Sequence, residues 1–146
     1  MLLFFLNRLR DAVVRDAAGL SDEQQRTPGV PSGTSLLGLI KHLSEVEKHW
    51  FQRVFFGADV SIDMSMEVPA GASPDEVVAA YRQACARSDE IVRACPDLST
   101  LARTMNPGDS RIGTLRRILV HMVEETGRHA GHADILRERI DGATDL

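Results

Sequence analysis

The sequence has little cysteine, little lysine and no long apolar run. Its 146 residues include two cysteines, Cys85 and Cys95, which do not form a CxxC pair. Two separated cysteines do not indicate a disulfide framework, so we expect a protein of a reducing compartment, the cytoplasm. No stretch reaches the roughly 18 apolar residues that are needed to span a bilayer. We therefore expect no membrane-spanning helix and no membrane partner.

Positive charge is not in excess either. The net charge of −4 offers no basic surface for nucleic acid, so nucleic acid is not expected as a partner. A content of 43% hydrophobic and 26% charged residues is typical of a folded globular protein, and the length predicts one domain over residues 1–146. Residues 1–6 are apolar, but Asn7 and Arg8 interrupt them and no basic segment precedes them. We expect a helix there and not a signal peptide.

Apolar residues recur at helical spacing in four long segments, whereas strand-like alternation is confined to residues 60–66. The four helices are predicted over residues 2–18, 35–56, 74–94 and 115–141. The expected N-caps of the last three helices are Thr34 or Ser35, Ser73, and Thr114. Gly19 and Gly57 are expected to end the first two helices.

Four amphipathic helices of this length predict an all-α four-helix bundle. The connection between helices two and three, residues 57–73, is long enough to travel the length of the bundle. If it does so, those two helices run parallel, and the bundle has up-down-down-up order with a long crossover.

The last predicted helix carries two ionisable side chains on its apolar face, where burial costs free energy. At 100° per residue, one stripe points inward: Leu115, Ile118, Leu119, Met122, Thr126, Ala133, Leu136 and Ile140. Glu125 and His129 fall inside this stripe, one turn apart, whereas Glu124 lies on the polar side. A carboxylate and an imidazole directed into a core need a partner. A divalent metal would use both, and a hydrogen-bonded pair without metal is the alternative.

A metal site needs at least one more ligand, and the sequence offers several histidines. His42 and His49 both lie at the edge of the apolar arc of helix two, so spacing alone does not choose between them. On helix four, His132 lies near Glu125 on the same flank, and His121 lies further towards solvent.

Two strings resemble a known family. Residues 33–51, GTSLLGLIKHLSEVEKHWF, are similar to the second helix of DinB-like proteins, and residues 121–138, HMVEETGRHAGHADILRE, are similar to the fourth. The resemblance covers the chain in helix order and spacing. That superfamily includes bacillithiol and mycothiol S-transferases and the mycothiol-dependent maleylpyruvate isomerase.

The resemblance implies a set of site residues. In the family, one histidine of helix two joins two ligands that lie four residues apart on helix four, which selects His42, Glu125 and His129. Many members have histidine at the position of Glu125. In having glutamate there, this chain resembles the mycothiol-dependent branch. His132 stands where glutamine is frequent, which implies an outer partner or a pocket lining. Trp50 is either a core residue or a wall of the cofactor pocket, and we predict that it contributes to cofactor binding together with His132.

The implied activity is that of a metal-dependent thiol S-transferase or isomerase. Three protein ligands leave a coordination position open, and a thiol that enters it loses its proton. Zinc is expected, and nickel, iron or manganese would also suit these ligands. Arginine outnumbers lysine 15 to 2, which is typical of GC-rich coding genomes such as those of actinobacteria and favours mycothiol as the thiol. The second substrate would be a small electrophile, and neither cysteine is needed as a nucleophile.

Two other functions remain open at this stage. One is a non-catalytic, metal-binding stress-response bundle, and the other is a metal-free dimeric interaction module. A strip of small residues on helix four allows close approach of another helix: Val120, Val123, Gly127, Ala130 and Gly131. That helix belongs either to the same chain or to a second copy in a homodimer, which the family commonly forms.

Overall fold

The regular structure is helical, as the apolar spacing predicts. The computed structural model describes residues 1–104 and 113–144. Its helices are α1 (Leu2–Ala17), α2 (Asp22–Arg26), α3 (Leu36–Glu47), a π-helical segment that continues α3 (Lys48–Phe55), α4 (Pro74–Arg93) and α5 (Leu115–Asp141). The predicted all-α class is confirmed. Among these helices, none is both long and apolar enough to cross a membrane.

The predicted caps account for where the long helices begin. The Ser35 hydroxyl accepts a hydrogen bond from the Gly38 amide at 3.0 Å. Ser73 and Glu76 form a reciprocal capping box at the start of α4. The Thr114 hydroxyl accepts from the Arg117 amide at 3.4 Å. Each cap satisfies an amide that would otherwise lack a partner in the first turn, which fixes the start of its helix.

The second predicted helix is not uniform, and this corrects the sequence prediction. Only Leu36–Glu47 is α-helical, and the next eight residues form wider π-helical turns. The regular 3.6-residue period predicts an apolar arc that includes Trp50, Phe51 and Val54. Phe51 is buried as predicted, but Trp50 and Val54 are half-buried, and Phe55 is buried as well. The wider turn changes which side chains face the core.

The core consists of two clusters along the bundle. The first combines Val13 and Ala17 of α1 with early residues of α3 and α4 and late residues of α5: Leu36, Leu37, Leu39, Ile40, Leu43, Val77, Tyr81, Ala130, Ala133 and Leu136. The second combines Leu6 of α1 with later residues of α3 and α4 and early residues of α5: Val46, Phe51, Phe55, Ile91, Val92, Leu115, Ile118, Leu119 and Met122. The inward stripe predicted for α5 is buried accordingly, with Ile140 packed at its edge.

Contacts between helices show whether two neighbouring helices run in the same direction. Gly127 of α5 faces the Leu9 side chain, and Arg137 of α5 donates to the main-chain oxygen of Asp16 at 3.0 Å. Rising residue numbers on α1 therefore match rising numbers on α5. The two core clusters show the same relation for α3 and α4. Each of these two helix pairs, α1 with α5 and α3 with α4, is therefore parallel.

The connection between α3 and α4 lies along α3. Lys41 Nζ donates to the main-chain oxygens of Asp63 and Ser65 at 2.8 and 2.9 Å. Further back along α3, a Cβ atom on Gly38 would lie 2.6 Å from the main-chain oxygen of Met66, so only glycine allows this close approach. The connection thus runs from the middle of α3 back towards its start.

A buried ionic network joins three helices. Arg10 of α1 donates from Nε and Nη2 to the two carboxylate oxygens of Glu47, at 2.8 and 2.7 Å. Its Nη1 donates to Asp89 of α4 and to Asn7, both at 2.7 Å. The Arg10 and Glu47 side chains are 3% and 1% exposed, so each charge is stabilised by its partner in place of water.

The small-residue strip of α5 is partly covered by the chain itself. Gly127 lies against Leu9 of α1, and Ala130 is buried in the first core cluster. Val120, in contrast, is 44% exposed, and a Cβ atom on Gly131 would meet nothing within 4 Å. One part of the strip therefore serves an intramolecular contact, and another part lies open.

A buried carboxyl group at the contact of α1 and α5 predicts a pH-dependent stability. Asp16 is fully buried. Burial, and then the neighbouring carboxylate of Asp134, raise the pKa of Asp16 to about 7. Between pH ~4 and ~7 the folded chain therefore holds a proton that the unfolded chain has lost, and the free energy of unfolding falls as pH rises through this window.

In the variant Asp16→Asn, the free energy of unfolding should not fall in this way as pH rises. The difference in free energy of unfolding between variant and parent should shift by about 1–2 kcal/mol in favour of the variant as pH rises from 4 to 7.5, after allowance for solvent screening. Urea denaturation at several pH values measures the difference. The control is Asp11→Asn, at an exposed carboxylate of the same helix, which should keep the parental profile. A parental profile in Asp16→Asn would contradict the assignment.

Candidate metal centre

Three predicted ligands from two helices meet in the structure. His42 comes from α3, and Glu125 and His129 come from successive turns of α5. Glu125 Oε1 lies 3.7 Å from His42 Nε2 and 3.1 Å from His129 Nε2. Each residue offers one ligand atom, and all three atoms lie within 4.8 Å of one another. The apolar stripe of α5 brings Glu125 and His129 to the α3 side because its neighbours Met122, Thr126 and Ala133 are buried.

The site is half-buried, and its electrostatics suit a cation. The side chains of His42, Glu125 and His129 are 16%, 22% and 10% exposed. Burial lowers the pKa of His129, although the Glu125 carboxylate opposes this shift. His129 is therefore neutral at pH 7, which is the form in which an imidazole nitrogen has a lone pair for a metal.

Outer hydrogen bonds hold both imidazoles in place. His42 Nδ1 lies 2.7 Å from the main-chain oxygen of Met64, which only accepts, so Nδ1 carries the hydrogen and Nε2 is free to face Glu125. His129 Nδ1 lies 3.3 Å from His132 Nδ1, and one of these two nitrogens donates to the other. Partners of this kind commonly fix the ring orientation and tautomer of metal-binding histidines.

The three side chains fit a tetrahedral ion that retains an open position. Ligands at 2.0–2.2 Å from a tetrahedral centre lie about 3.3–3.6 Å apart. The distances of 3.1 and 3.7 Å at Glu125 Oε1 are close to this range. Two histidines and one glutamate are a donor set of catalytic zinc sites, whereas structural zinc sites have four protein ligands. The residues therefore fit a catalytic ion better than a structural one.

The structure separates the remaining histidines into two groups. His132 lies beside His129, as described. His49 and His121 instead both contact Trp50, each with its ring centroid 4.9 Å from the indole. Between His42 and His49, which spacing alone did not distinguish, the structure brings His42 to Glu125 and His129. Glu124 is exposed, as its position on the helix predicts.

Neither cysteine belongs to the group of three candidate ligands. Cys85 packs against the first core cluster, and burial, followed by the charge of Glu47, raises the pKa of its thiol well above the usual range. A thiol of this kind is a poor nucleophile. Cys95 is half-buried and donates to the main-chain oxygen of Asp97 at 3.2 Å.

Two features of the site gave no signal in the sequence. The main-chain oxygen of Met64 orients His42, and any residue type supplies such an oxygen. Lys41 holds the same segment through its bonds to Asp63 and Ser65, but a lysine on a helix surface is ordinary. Only the path of the connection along α3 brings these groups to the site.

Comparisons with known proteins agree with this architecture. The family model of mycothiol-S-transferase matches residues 1–142. A search of curated proteins gave no significant match. Among solved structures, the chain is similar to one described as the conserved protein of locus from Enterococcus faecalis. The TM-score is 0.67 at 15% identity, over 97% of this chain and 96% of that chain. At this identity, the likeness shows the fold alone.

Proposed function

Because the chain belongs to the mycothiol-S-transferase family, within the DinB-like superfamily, we propose that it transfers a low-molecular-weight thiol to a small electrophile at a divalent metal. We propose mycothiol as the thiol and His42, Glu125 and His129 as the metal ligands. One observation carries this proposal: a ligand atom from each of the three side chains lies within 4.8 Å of the others.

The ligand set favours zinc, with nickel, iron or manganese as further candidates. When bound, a divalent ion supplies a positive charge that lowers the pKa of a coordinated thiol and so yields a thiolate at neutral pH. The carboxylate of Glu125 offsets part of that charge, and the bonds to Met64 and His132 hold the two imidazoles in orientation. The thiolate would attack an electrophilic carbon and form a carbon–sulfur bond, while either a leaving group departs with its bonding electron pair or, in a conjugated acceptor, a π bond opens and takes up the proton that the thiol released.

The surroundings support a small polar thiol. A groove of about 560 Å³ at the start of α3 is lined by hydroxyl-bearing and charged residues: Arg26, Ser32, Thr34, Ser35, Ser65 and Glu67. Ser65 follows Met64, whose main-chain oxygen holds His42. Hydroxyl and charged side chains provide the hydrogen bonds that a sugar-containing thiol requires. We propose that His132 lines the thiol pocket and that Trp50 contributes to its wall.

The proposal extends to assembly and location. We propose a homodimer through the outer face of α1 and α5, where apolar side chains are exposed: Phe4, Phe5, Val120 and Ile135. We propose that the chain functions as one domain in the cytoplasm, where small thiols are kept reduced.

Metal removal tests the proposed activity. The full chain is loaded with Zn²⁺, and mycothiol conjugation to monobromobimane, which forms a carbon–sulfur bond and releases bromide, is followed by fluorescence. Removal of the ion with dipicolinate should reduce the rate to the uncatalysed level, and added Zn²⁺ should restore it. Helical circular dichroism should change by less than about 10%, because a three-ligand site is not required to hold the bundle together.

Each other outcome favours a different function. Unfolding on metal removal would favour a structural metal site in a stress-response bundle. Unchanged catalysis after removal, or a chain that does not retain Zn²⁺, would contradict the proposed metal dependence, and the second of these results would favour a metal-free interaction module.

A further inference from the structure

A second cluster of functional side chains lies beside the candidate metal centre. It consists of His49 and Trp50 in the π-helical segment and His121 in α5, and we call it the aromatic cluster. Trp50 is in edge contact with both imidazoles, with centroid distances of 4.9 Å and interplanar angles of 80° and 67°. The cluster therefore joins α5, which supplies Glu125 and His129, to the π-helical continuation of α3, which supplies His42.

The cluster is within reach of a small molecule at the metal centre. His121 precedes Glu125 by one turn of α5, which is about 6 Å along the helix axis. On the other side, His49 and Trp50 follow His42 along α3 and its π-helical continuation. On both elements, the residues of the aromatic cluster thus lie next along from the candidate ligands.

The local backbone departs from the regular helix at this cluster. Two sequence neighbours, His49 and Trp50, have their rings in contact and share one side of the π-helical segment. Departures of this kind are rare in helices and occur frequently at functional sites. The cluster is also not fully packed, since all three side chains are half-buried, unlike the neighbouring Phe51 and Phe55.

The chemistry of the cluster specifies a class of ligand. Indole and imidazole rings offer flat apolar surfaces, on which planar conjugated molecules stack. Each imidazole also carries an N–H group, which can donate to an oxygen atom. Burial, followed by the positive charge of Arg53, lowers the pKa of His49. The guanidinium of Arg53 favours an anion or a polarised oxygen near the cluster.

We propose that His49, Trp50 and His121 bind the electrophilic substrate, and that they select planar, conjugated molecules that carry a carbonyl or carboxylate oxygen. This inference rests on the proposed function, because the bound molecule is a substrate only if the chain catalyses thiol transfer. The binding of such molecules, however, does not require catalysis and can be measured independently.

Trp50 provides a direct reporter, because it is the only tryptophan in the chain. The full chain is titrated with benzoate, a planar conjugated carboxylate, and with cyclohexanecarboxylate, its saturated counterpart. Benzoate should give a saturable change in Trp50 fluorescence with at least about fivefold higher affinity, since only benzoate stacks on the rings. The C2 protons of His49 and His121 should shift in the proton NMR spectrum over the same concentrations.

Variants locate the site and separate the two proposals. His121→Gln and His49→Gln should each weaken benzoate binding at least about fivefold, with helical circular dichroism unchanged as the folding control. His42→Ala should lose the metal but bind benzoate within about twofold of the parent. Equal affinity for the two acids, or no fluorescence and NMR change with benzoate, would overturn the inference without affecting metal-dependent thiol transfer.

Discussion

Replacing His129 with alanine should remove the metal from the purified chain. Zn²⁺ content after loading and desalting should fall from about one ion per chain to below about 0.1, and affinity should fall by more than about 100-fold. Loss of an outer partner alone commonly weakens metal binding 10- to 100-fold, so loss of a ligand should cost more. Glu125→Gln should have a similar effect, because an amide oxygen is a weaker ligand than a carboxylate. Elemental analysis and competition with a chromophoric chelator measure both quantities.

The adjacent glutamate is the matched control. Glu124 lies on the same helix but is exposed, so Glu124→Gln should keep Zn²⁺ affinity within about twofold of the parent. A large loss of Zn²⁺ affinity in Glu124→Gln, with parental affinity in Glu125→Gln, would mean that Glu124 and not Glu125 faces α3.

Replacing Arg10 with methionine should destabilise the bundle by about 3–5 kcal/mol in free energy of unfolding. The substitution leaves the Glu47 carboxylate buried without its bidentate partner, and it also removes the bond to Asp89. An uncompensated buried charge of this kind costs far more than an exposed ion pair contributes. Urea denaturation of metal-free protein measures the change without a contribution from ion binding.

Two further variants separate the buried charge from a general effect of arginine loss. Arg82 pairs with Asp11 at 3.2 Å on the surface, and Arg82→Met should cost less than about 1 kcal/mol. The double variant Arg10→Met/Glu47→Met removes the orphaned carboxylate and should recover part of the loss. A cost in Arg10→Met no larger than that of Arg82→Met would show that the network contributes little.

Helix positions could be predicted from the sequence because local rules decide them. The caps at Ser35, Ser73 and Thr114 lie where predicted, and the apolar stripe of α5 is buried as its period indicates. The π-helical turns at Lys48–Phe55 could not be predicted in this way. The 3.6-residue period assumes α-helical geometry, and the residue types of this segment are compatible with both forms.

The candidate ligands could be found because Glu125 and His129 interrupt an apolar stripe. The same argument applies to Arg10, which lies between the buried Leu6 and Val13 of α1 at helical spacing, and it would have indicated the ionic network. The partner of Arg10, in contrast, lies 37 residues away on α3, and only the packing of the helices identifies it. The choice of His42 over His49 likewise needed either the family resemblance or the structure.

The central claim is that His42, Glu125 and His129 together hold one divalent ion. Diffraction data collected at the zinc absorption edge, from crystals of the full chain grown with Zn²⁺, test it most directly. We predict one strong anomalous peak about 2.0–2.2 Å from His42 Nε2, His129 Nε2 and an oxygen of Glu125. Zinc bound elsewhere, with no anomalous peak between these three side chains, would contradict the account.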